Sequence, residues 1–248
     1  EVEPVHVQAV VEFADRAWRR PLSEAEKNSL SGLYATLRNQ GLPHADTIRL
    51  LLARVFVAPA YLYRSEQAIH GEHVAAVSDN ELATRLSYFL WSSLPDEPLR
   101  HVADADQLYE AEQLLAQTRR MLQSEKVRRL ATEFGCQWLH VRDLETLDEK
   151  SERHFPEFIP LRAAMQEEVV QFFIDLFREN RSLLSLLDAD HSFLNAPLAE
   201  YYGVELPSAG LANSESSNSV WQRVAGMHSR GRGGILGFAA TLAKQSGA

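Results

Sequence analysis

The run whose residue types most resemble a ligand site is HSRGRGGIL, at positions 228–236. Two arginines, Arg230 and Arg232, stand close to the adjacent glycines Gly233 and Gly234. Guanidinium groups bind carboxylates and phosphates by charge-assisted hydrogen bonds, and the backbone N–H groups of glycine-rich turns add further donors. The run therefore predicts either an anion- or cofactor-binding site at these four residues, or a turn in which the two glycines supply positive φ.

Neither of the common phosphate-binding motifs fits this run. A P-loop requires Gly-Lys-Ser/Thr at the start of a helix that follows a strand, and the run contains no such triplet. A dinucleotide-binding fingerprint counted from Gly231 requires glycine at position 236, where the sequence has Leu236. Neither motif therefore predicts nucleotide binding at this run.

A second run, LLDADHSFLN, has the alternating oxygen-bearing side chains of a calcium loop at Asp188, Asp190 and Ser192. A calcium loop also requires glycine at its sixth position and glutamate at its twelfth. These positions are Phe193 and Ala199. We therefore expect Asp190 or Ser192 to cap a turn that leads into a short helix.

The nine histidines and the single cysteine form no recognisable catalytic or metal-binding motif. The sequence has no His-Glu-x-x-His and no Gly-x-Ser-x-Gly, the patterns of zinc proteases and serine hydrolases. Cys136 lies on an apolar helical stripe, which predicts a buried structural thiol. We therefore assign no catalytic residue and no metal ligand within the chain. Three histidines stay open as ligands to a cofactor carried by another segment: His101, His140 and His154.

The charge balance argues against general affinity for nucleic acids and anionic membranes. The chain of 248 residues has a formal net charge of −9, whereas proteins that bind such surfaces carry a basic excess. Residues 220–248 reverse the sign, with four basic side chains and no acidic one. No apolar run is long enough to span a membrane. We expect a positive patch on a negative body.

Apolar residues recur at spacings of three and four along nearly the whole chain, which is the period of the α-helix. The clearest stripe runs from Leu161 to Leu176 in LRAAMQEEVVQFFIDLFREN. Four further stripes lie at 7–18, 48–55, 82–90 (including Phe89) and 127–138 (including Phe134 and Trp138). Only VWQRVAGM alternates like a strand. The prediction is an all-α protein, an irregular multi-helix bundle with little or no β-sheet.

Polar runs suggest where this bundle is divided. The segments AIHGEHVAAVS and ELPSAGLANSESSNS are rich in loop-forming residues. They separate an N-terminal helical region (1–72), a central helical domain (73–204), and a loop with the basic glycine-rich C-terminal segment (205–248). We expect one continuous core.

Short-range signals mark the ends of several helices. Predicted starts are Ser23 with Glu26, Ser78 with Glu81, and Asn195 with Pro197, and predicted stops are Gly41 and Gly203. Arginines near helix ends are expected to bond terminal carbonyls or to pair with acids on neighbouring helices, with partner docking as the alternative. They are Arg16, Arg19, Arg20 and Arg64.

Several longer phrases together indicate a family. They are FADRAWRRPLSEAE, APAYLYRSE, ELATRLSYFLWSSLPDEPL, TRRMLQSEKVRRLATEFGCQWL, DEKSERHFPEF, LLDADHSFLNAPLAEYYGV and RGGILGFAATLAKQSGA. This set resembles the planctomycete-type multidomain proteins of unknown function that are associated with cytochrome c-like modules. The resemblance covers nearly the whole chain and corresponds to the helical middle region of those proteins.

The resemblance implies a partner and a location. In such proteins a further domain with a Cys-x-x-Cys-His sequence, suited to haem attachment, follows the segment matching LAKQSGA. This chain is then a helical module that supports a haem c domain outside it. Arg230, Arg232, Gly233 and Gly234 contact that haem or an adjacent C-terminal domain of the same protein. The setting is extracytoplasmic, in the periplasm or cell envelope, and any oxidoreductase activity depends on the haem. The alternative is a structural or protein-interaction module without catalytic activity.

Overall fold

The structure is a computed structural model that describes residues 3–64, 66, 75–147, 153, 155–206 and 220–245. Helices dominate, and in these ranges the strands form one two-stranded antiparallel sheet, which confirms the all-α prediction. The helices are α1 (Glu3–Ala17), α2 (Glu24–Asn39), α3 (His44–Phe56), α4 (Pro59–Leu62), α5 (Asp79–Trp91), α6 (Glu97–Asp104), α7 (Ala111–Leu122), α8 (Arg128–Leu130), α9 (Phe158–Arg178), α10 (Ser185–Asp188), α11 (Ala196–Tyr202) and α12 (Ala239–Gln245). The strands are β1 (His191–Leu194) and β2 (Gln222–Ala225).

The chain forms two compact units, Glu1–Thr118 and Arg119–Ala248, which we call the first and the second unit. The boundary between them falls within α7. The segment boundaries after residues 72 and 204 stay predictions. The greater part of the polar run that was expected to form a loop, 207–219, lies outside the described residues.

The first unit has an apolar core shared by α1, α2 and α3. Its buried side chains include Val10, Val11, Ala14, Leu30, Leu51 and Val55. The predicted ends are confirmed. Ser23 and Glu26 form a capping box before α2, Ser78 and Glu81 form another before α5, and Gly41 follows α2 with φ +87°. Local residue choice therefore sets the limits of these helices.

The predicted stripe on α5 is wrong at Phe89, whose side chain is 65% exposed. The buried face of α5 instead combines small and polar side chains with two large ones at its end. It consists of Asp79, Ala83, Thr84, Ser87, Leu90 and Trp91. Small side chains let a helix approach its neighbours closely, so residue size rather than hydrophobicity alone selects the packed face.

The stripe at 127–138 is also wrong at its end, because the helix changes pitch. Phe134 and Trp138 are 48% and 50% exposed. The segment Ala131–Cys136 is a π-helical turn, which places an extra residue in the helical repeat. The buried positions of this turn are consequently Ala131, Gly135 and Cys136.

The second unit is organised around α9, a helix of 21 residues. The predicted apolar stripe is buried along it: Leu161, Met165, Val169, Phe172, Phe173 and Leu176. Glu168 is buried on the same helix, although carboxylates are rarely placed in a core. The clearest helix of the sequence therefore carries an acidic side chain that needs internal partners.

A pair of antiparallel strands and a short helix pack against α9. β1 and β2 are antiparallel, with His191 opposite Ala225 and Leu194 opposite Gln222. α11 follows β1 directly, and the predicted Asn195 cap is confirmed because its Oδ1 accepts a hydrogen bond from Leu198 N. Gly203 ends α11 with φ +64°, also as predicted. This arrangement brings β1 and the end of α11 to the buried carboxylate.

Candidate functional site

A buried carboxylate on α9 is the centre of a polar cluster in the second unit. Glu168 is 0% exposed. Its Oε1 accepts a hydrogen bond from Ser192 Oγ at 2.5 Å, and its Oε2 accepts one from Tyr202 Oη at 2.6 Å. Ser192 lies on β1 and Tyr202 at the end of α11. One side chain therefore ties the central helix to two other elements.

Tyr202 extends the cluster towards the C-terminal segment. Its Oη accepts a hydrogen bond from Ala239 N, the first residue of α12, at 2.9 Å. The guanidinium carbon of Arg232 lies 3.9 Å from the centre of the Tyr202 ring, a cation–π contact, and Arg232 Nη1 donates to Gly237 O at 2.8 Å. We call Glu168, Ser192, Tyr202 and Arg232 the Glu168 cluster.

Burial raises the pKa of Glu168 to about 7, because the protein interior solvates a carboxylate poorly. The hydrogen bonds from Ser192 and Tyr202 and the positive charge of Arg232 oppose this shift. Burial also raises the pKa of the Tyr202 hydroxyl, and the neighbouring carboxylate adds to that effect. Near neutral pH the cluster therefore contains one acid close to its midpoint of ionisation.

The Glu168 carboxyl is sealed from solvent. The space bounded by Glu168, Ser192, Gly233, Phe238 and their neighbours leaves no volume for a water molecule. A general acid or base must reach its substrate directly or through one water. The geometry therefore supports a role for the Glu168 carboxyl in holding the unit together rather than in acting on a bound substrate.

An open cavity of about 220 Å³ lies beside the cluster, and we call it the Arg232 pocket. Most of its wall is apolar and comes from α9, α11 and α12: Phe158, Met165, Tyr201, Ala239 and Leu242. Arg232 lines both this cavity and the sealed space around Glu168. A cation therefore stands between an open apolar cavity and a buried acid.

The structure separates the two predicted arginines. Arg232 is half-buried in the pocket wall. Arg230 ends the 3₁₀ turn Met227–Arg230 and is exposed, with no hydrogen bond or ion pair to the part of the chain that the structure describes. Its Nη1 lies 3.6 Å from the position that a Cβ on Gly203 would take. We therefore expect Arg232 to act within the fold and Arg230 to contact a partner.

The two predicted glycines are points of close packing. A Cβ at Gly234 would lie 2.5 Å from Leu186 O, and one at Gly233 would lie 2.5 Å from the His228 ring. Gly234 has φ +55° as predicted, but Gly233 does not have positive φ, so that part of the interpretation was wrong. Gly234 N donates to Ala189 O at 3.1 Å. The glycines therefore fix the loop against the backbone of α10.

The remaining chemical candidates lie apart from this cluster. Cys136 is buried as predicted, and burial raises the pKa of its thiol to about 12. His101 and His140 are exposed, and His154 lies outside the described residues. Among the residues that the structure describes, no group of three His, Cys, Asp or Glu side chains is placed to hold a metal ion.

The first unit contains a larger cavity, of about 560 Å³, whose wall includes four arginines: Arg19, Arg20, Arg64 and Arg85. Arg19 is 7% exposed and donates to the carbonyls of Ala60 at 2.5 Å and Tyr63 at 2.8 Å. This confirms that Arg19 bonds carbonyls at a helix end. The buried arginine therefore connects α4 and the residue after it to the chain just after α1.

The other arginines of this cavity are engaged by neighbouring side chains. Arg20 forms a two-pronged ion pair with Glu26, and Arg85 forms one with Glu66. The guanidinium carbon of Arg64 lies 4.6 Å from the centre of the Tyr88 ring. Arg20 and Arg85 therefore already use guanidinium donors within the fold, whereas the ring contact of Arg64 uses none.

Sequence reasoning missed Glu168 and Tyr202, although the first gave a signal. Glu168 lies three residues after Met165 and four before Phe172, so it occupies the apolar stripe of α9. A carboxylate in such a stripe predicts a buried acid with hydrogen-bonding partners. Its partners Ser192 and Tyr202 lie on other elements, and no local pattern connects them to it.

The fold and site define an all-α protein of two helical units, the second of which holds a sealed acid beside an arginine-lined pocket. Residues 77–204 match PSD4, a protein of unknown function (DUF1592), and residues 7–66 match PSD5, a protein of unknown function (DUF1595). Since the PSD4 match covers just over half of the chain, the chain belongs to that family. No curated protein and no solved structure matches it.

Of the helices in the described ranges, none is both long enough and apolar enough to cross a membrane.

Proposed function

We propose that the chain is a helical support module that docks a neighbouring domain of a larger extracytoplasmic protein, and that this neighbour carries c-type haem. The resemblance of several sequence phrases to planctomycete-type proteins with cytochrome c-like modules supports the nature of the neighbour. In this proposal the haem performs the redox chemistry, and the helical units supply position and charge.

The observation that carries the docking proposal is the presentation of Arg230 on a rigid loop. The glycine at 234 fits against the α10 backbone within distances that exclude a side chain. Asp190 holds the start of the loop, because its carbonyl accepts from Gly226 N at 2.8 Å and its Oδ1 from His228 N at 2.7 Å. Arg230 lies between these fixed points, and its exposed guanidinium group has no hydrogen bond or ion pair to the residues that the structure describes.

An exposed guanidinium on a rigid support suits recognition of a carboxylate on a partner. Because the loop is already ordered, docking costs less conformational entropy than it would from a mobile segment. Haem propionates are carboxylates, and arginine binds carboxylates with two parallel hydrogen bonds. In the proposed complex Arg230 makes this contact and Arg232 stays in the wall of its pocket.

The electron-transfer part of the proposal is tested on the intact protein from its native source. We expect a Soret band and a reversible reduction in its absorbance spectrum. A preparation with neither a Soret band nor a redox-active metal overturns the haem assignment.

The docking part is tested separately by titrating this chain with the isolated neighbouring domain. Arg230→Glu should weaken association at least tenfold, since an attractive contact becomes a repulsive one. The matched control is Arg54→Glu, which makes the same charge change at an exposed position of the first unit. Equal weakening by both variants would show a general charge effect and not a contact of Arg230.

A purely structural module is the second candidate, and the sealed Glu168 cluster favours it. An acid without access to water or substrate contributes to folding rather than to chemistry. This candidate predicts that the intact protein keeps its redox activity, if it has any, when Glu168 is replaced by Gln.

A further inference from the structure

The Arg232 pocket has the composition of a small ligand site. Pockets that bind small molecules are mostly apolar and contain a few polar groups that fix orientation. Here the apolar groups come from three helices, and the polar residues of the lining are Arg232, Tyr201 and Glu157, the last of which directly precedes α9. An anionic group is therefore favoured beside Arg232 and disfavoured beside Glu157.

Arg232 has donors to offer a ligand. Its Nη1 is engaged by Gly237 O, and its ring contact with Tyr202 fixes the plane of the guanidinium. Its Nε and Nη2 make no hydrogen bond to the residues that the structure describes. A planar fork with unused donors matches the geometry of a carboxylate.

We propose that the Arg232 pocket binds a small monocarboxylate with a flat apolar body, whose carboxylate pairs with Arg232 and whose body contacts Met165, Tyr201 and Leu242. The volume of the cavity limits the size of the ligand. At about 220 Å³ the cavity is smaller than the roughly 300–1,000 Å³ of pockets that bury drug-sized ligands. A single ring with a short acid chain fits this limit.

Ligand binding is linked to the protonation of Glu168, because Arg232 lines both the ligand pocket and the sealed space around Glu168. The groups around Glu168 are the hydroxyls of Ser192 and Tyr202, the Arg232 guanidinium and the His191 ring across the sealed space. The charge of Arg232 lowers the pKa of Glu168. A carboxylate on Arg232 offsets that charge, so the pKa of Glu168 rises and the protein takes up protons near pH 7 when the ligand binds.

The test is isothermal titration of this chain with 3-phenylpropionate and with the neutral 3-phenylpropionamide. We expect the acid to bind at least tenfold more tightly than the amide, because only the acid forms charge-assisted hydrogen bonds with Arg232. The comparison requires no variant and so does not depend on how a substitution folds. Equal binding of acid and amide, or no binding of the acid at 10 mM, overturns the proposal.

Variants locate the contact. Arg232→Gln should remove the preference for the acid, whereas Arg230→Gln on the same loop should keep it. Ala243→Trp should block the cavity with the charge retained. Titrations at pH 7 in phosphate and in Tris should show proton uptake in the wild type and none in Glu168→Gln. Acid binding that survives both Arg232→Gln and Ala243→Trp contradicts the assignment of the pocket.

This inference does not require the docking function, and the two fail separately. Binding of 3-phenylpropionate is measured on the chain alone, whereas docking needs the neighbouring domain and depends on Arg230. A propionate of a neighbouring haem is a second source of the same chemistry. If it occupies the pocket, saturating 3-phenylpropionate will weaken docking; if a free acid is the natural ligand, docking will be unchanged.

Discussion

In each unit a buried ionisable side chain joins several segments, Arg19 in the first and Glu168 in the second, and these two groups are chemically opposite. In the first unit Arg19 donates to the backbone carbonyls of Ala60 in α4 and of Tyr63 just after it. In the second unit Glu168 accepts from two hydroxyl groups on other elements. An arginine keeps its charge throughout the physiological pH range. A buried carboxylic acid can take up a proton instead of remaining charged.

The difference shows how the sign of a buried group determines its response to pH. Arg19 is compensated by fixed dipoles, so its contribution should not depend on pH. Glu168 is compensated by hydroxyl groups that can donate or accept, so both of its protonation states find partners. We therefore expect the contribution of Arg19 to the first unit to be independent of pH, and that of Glu168 to the second unit to change with pH. Each prediction below tests one part of this contrast.

The largest effect is expected for Arg19→Met in the first unit. It leaves several carbonyls without their charged donor, and we expect the free energy of unfolding to fall by about 3 kcal/mol. Because two units can unfold separately, amide hydrogen exchange in α3 and α4 should be measured beside urea denaturation. The loss should be the same at pH 5 and pH 8.

Arg20→Met is the matched control for Arg19. Arg20 is the next residue and pairs with Glu26, but its side chain is 39% exposed. Pairs exposed to this degree contribute about 1 kcal/mol or less. An equal loss in the two variants would mean that burial of Arg19 is not what makes its bonds important.

The second prediction concerns the pH dependence that Glu168 gives the second unit. Its pKa is about 7 in the folded chain, against an ordinary value of 4.5. The folded state therefore holds a proton that the unfolded state releases between these values. The contribution is complete below about pH 4.5 and is lost as pH rises through 7, by about 3 kcal/mol in all.

Glu168→Gln isolates this contribution, because glutamine resembles the protonated acid and does not titrate. The measurement is the difference in unfolding free energy between the wild type and Glu168→Gln at pH 4.5, 6 and 8. We expect the wild type to weaken relative to the variant as pH rises. If the difference is constant with pH, Glu168 binds the same number of protons in the folded and the unfolded state. Its contribution to stability would then be as independent of pH as that of Arg19.

The contrast also separates what the sequence could predict from what it could not. The Ser23 and Ser78 capping boxes and the Asn195 cap depend on residues within three positions, so local rules found them. Carbonyl bonding by Arg19 was one of the predicted alternatives, because an arginine at a helix end has carbonyls nearby. Each of these features combines residue type with short sequence separation.

The features that were missed depend on distant partners or on a changed period. β2 lies within VWQRVAGM, the one run that alternates like a strand, but it begins 28 positions after its partner β1 ends, and the sequence of β1 does not alternate. The π-helical turn at Ala131–Cys136 displaced Phe134 and Trp138 from the expected face. The Glu168 cluster combines side chains from α9, β1 and α11. Tertiary packing, which the sequence does not display locally, sets all three.

The smallest expected change in unfolding free energy distinguishes Arg230 from Arg232. Arg232→Ala removes the contact with the Tyr202 ring and the bond to Gly237 O, and it should lower the unfolding free energy of the second unit by about 1 kcal/mol. Arg230→Ala should change it by less than about 0.5 kcal/mol, the usual range for an exposed side chain, since Arg230 has no partner in the described part of the chain.

Arg232→Ala should also change the pH dependence of the second unit. Loss of the arginine charge raises the pKa of Glu168 further, so the unfolding free energy continues to fall up to a higher pH than in the wild type. Urea denaturation of both variants at pH 6 and pH 8 measures these effects. If Arg230→Ala destabilises the unit as much as Arg232→Ala, then Arg230 belongs to the fold. It is in that case not free to dock a partner, and the proposed role of the loop is wrong.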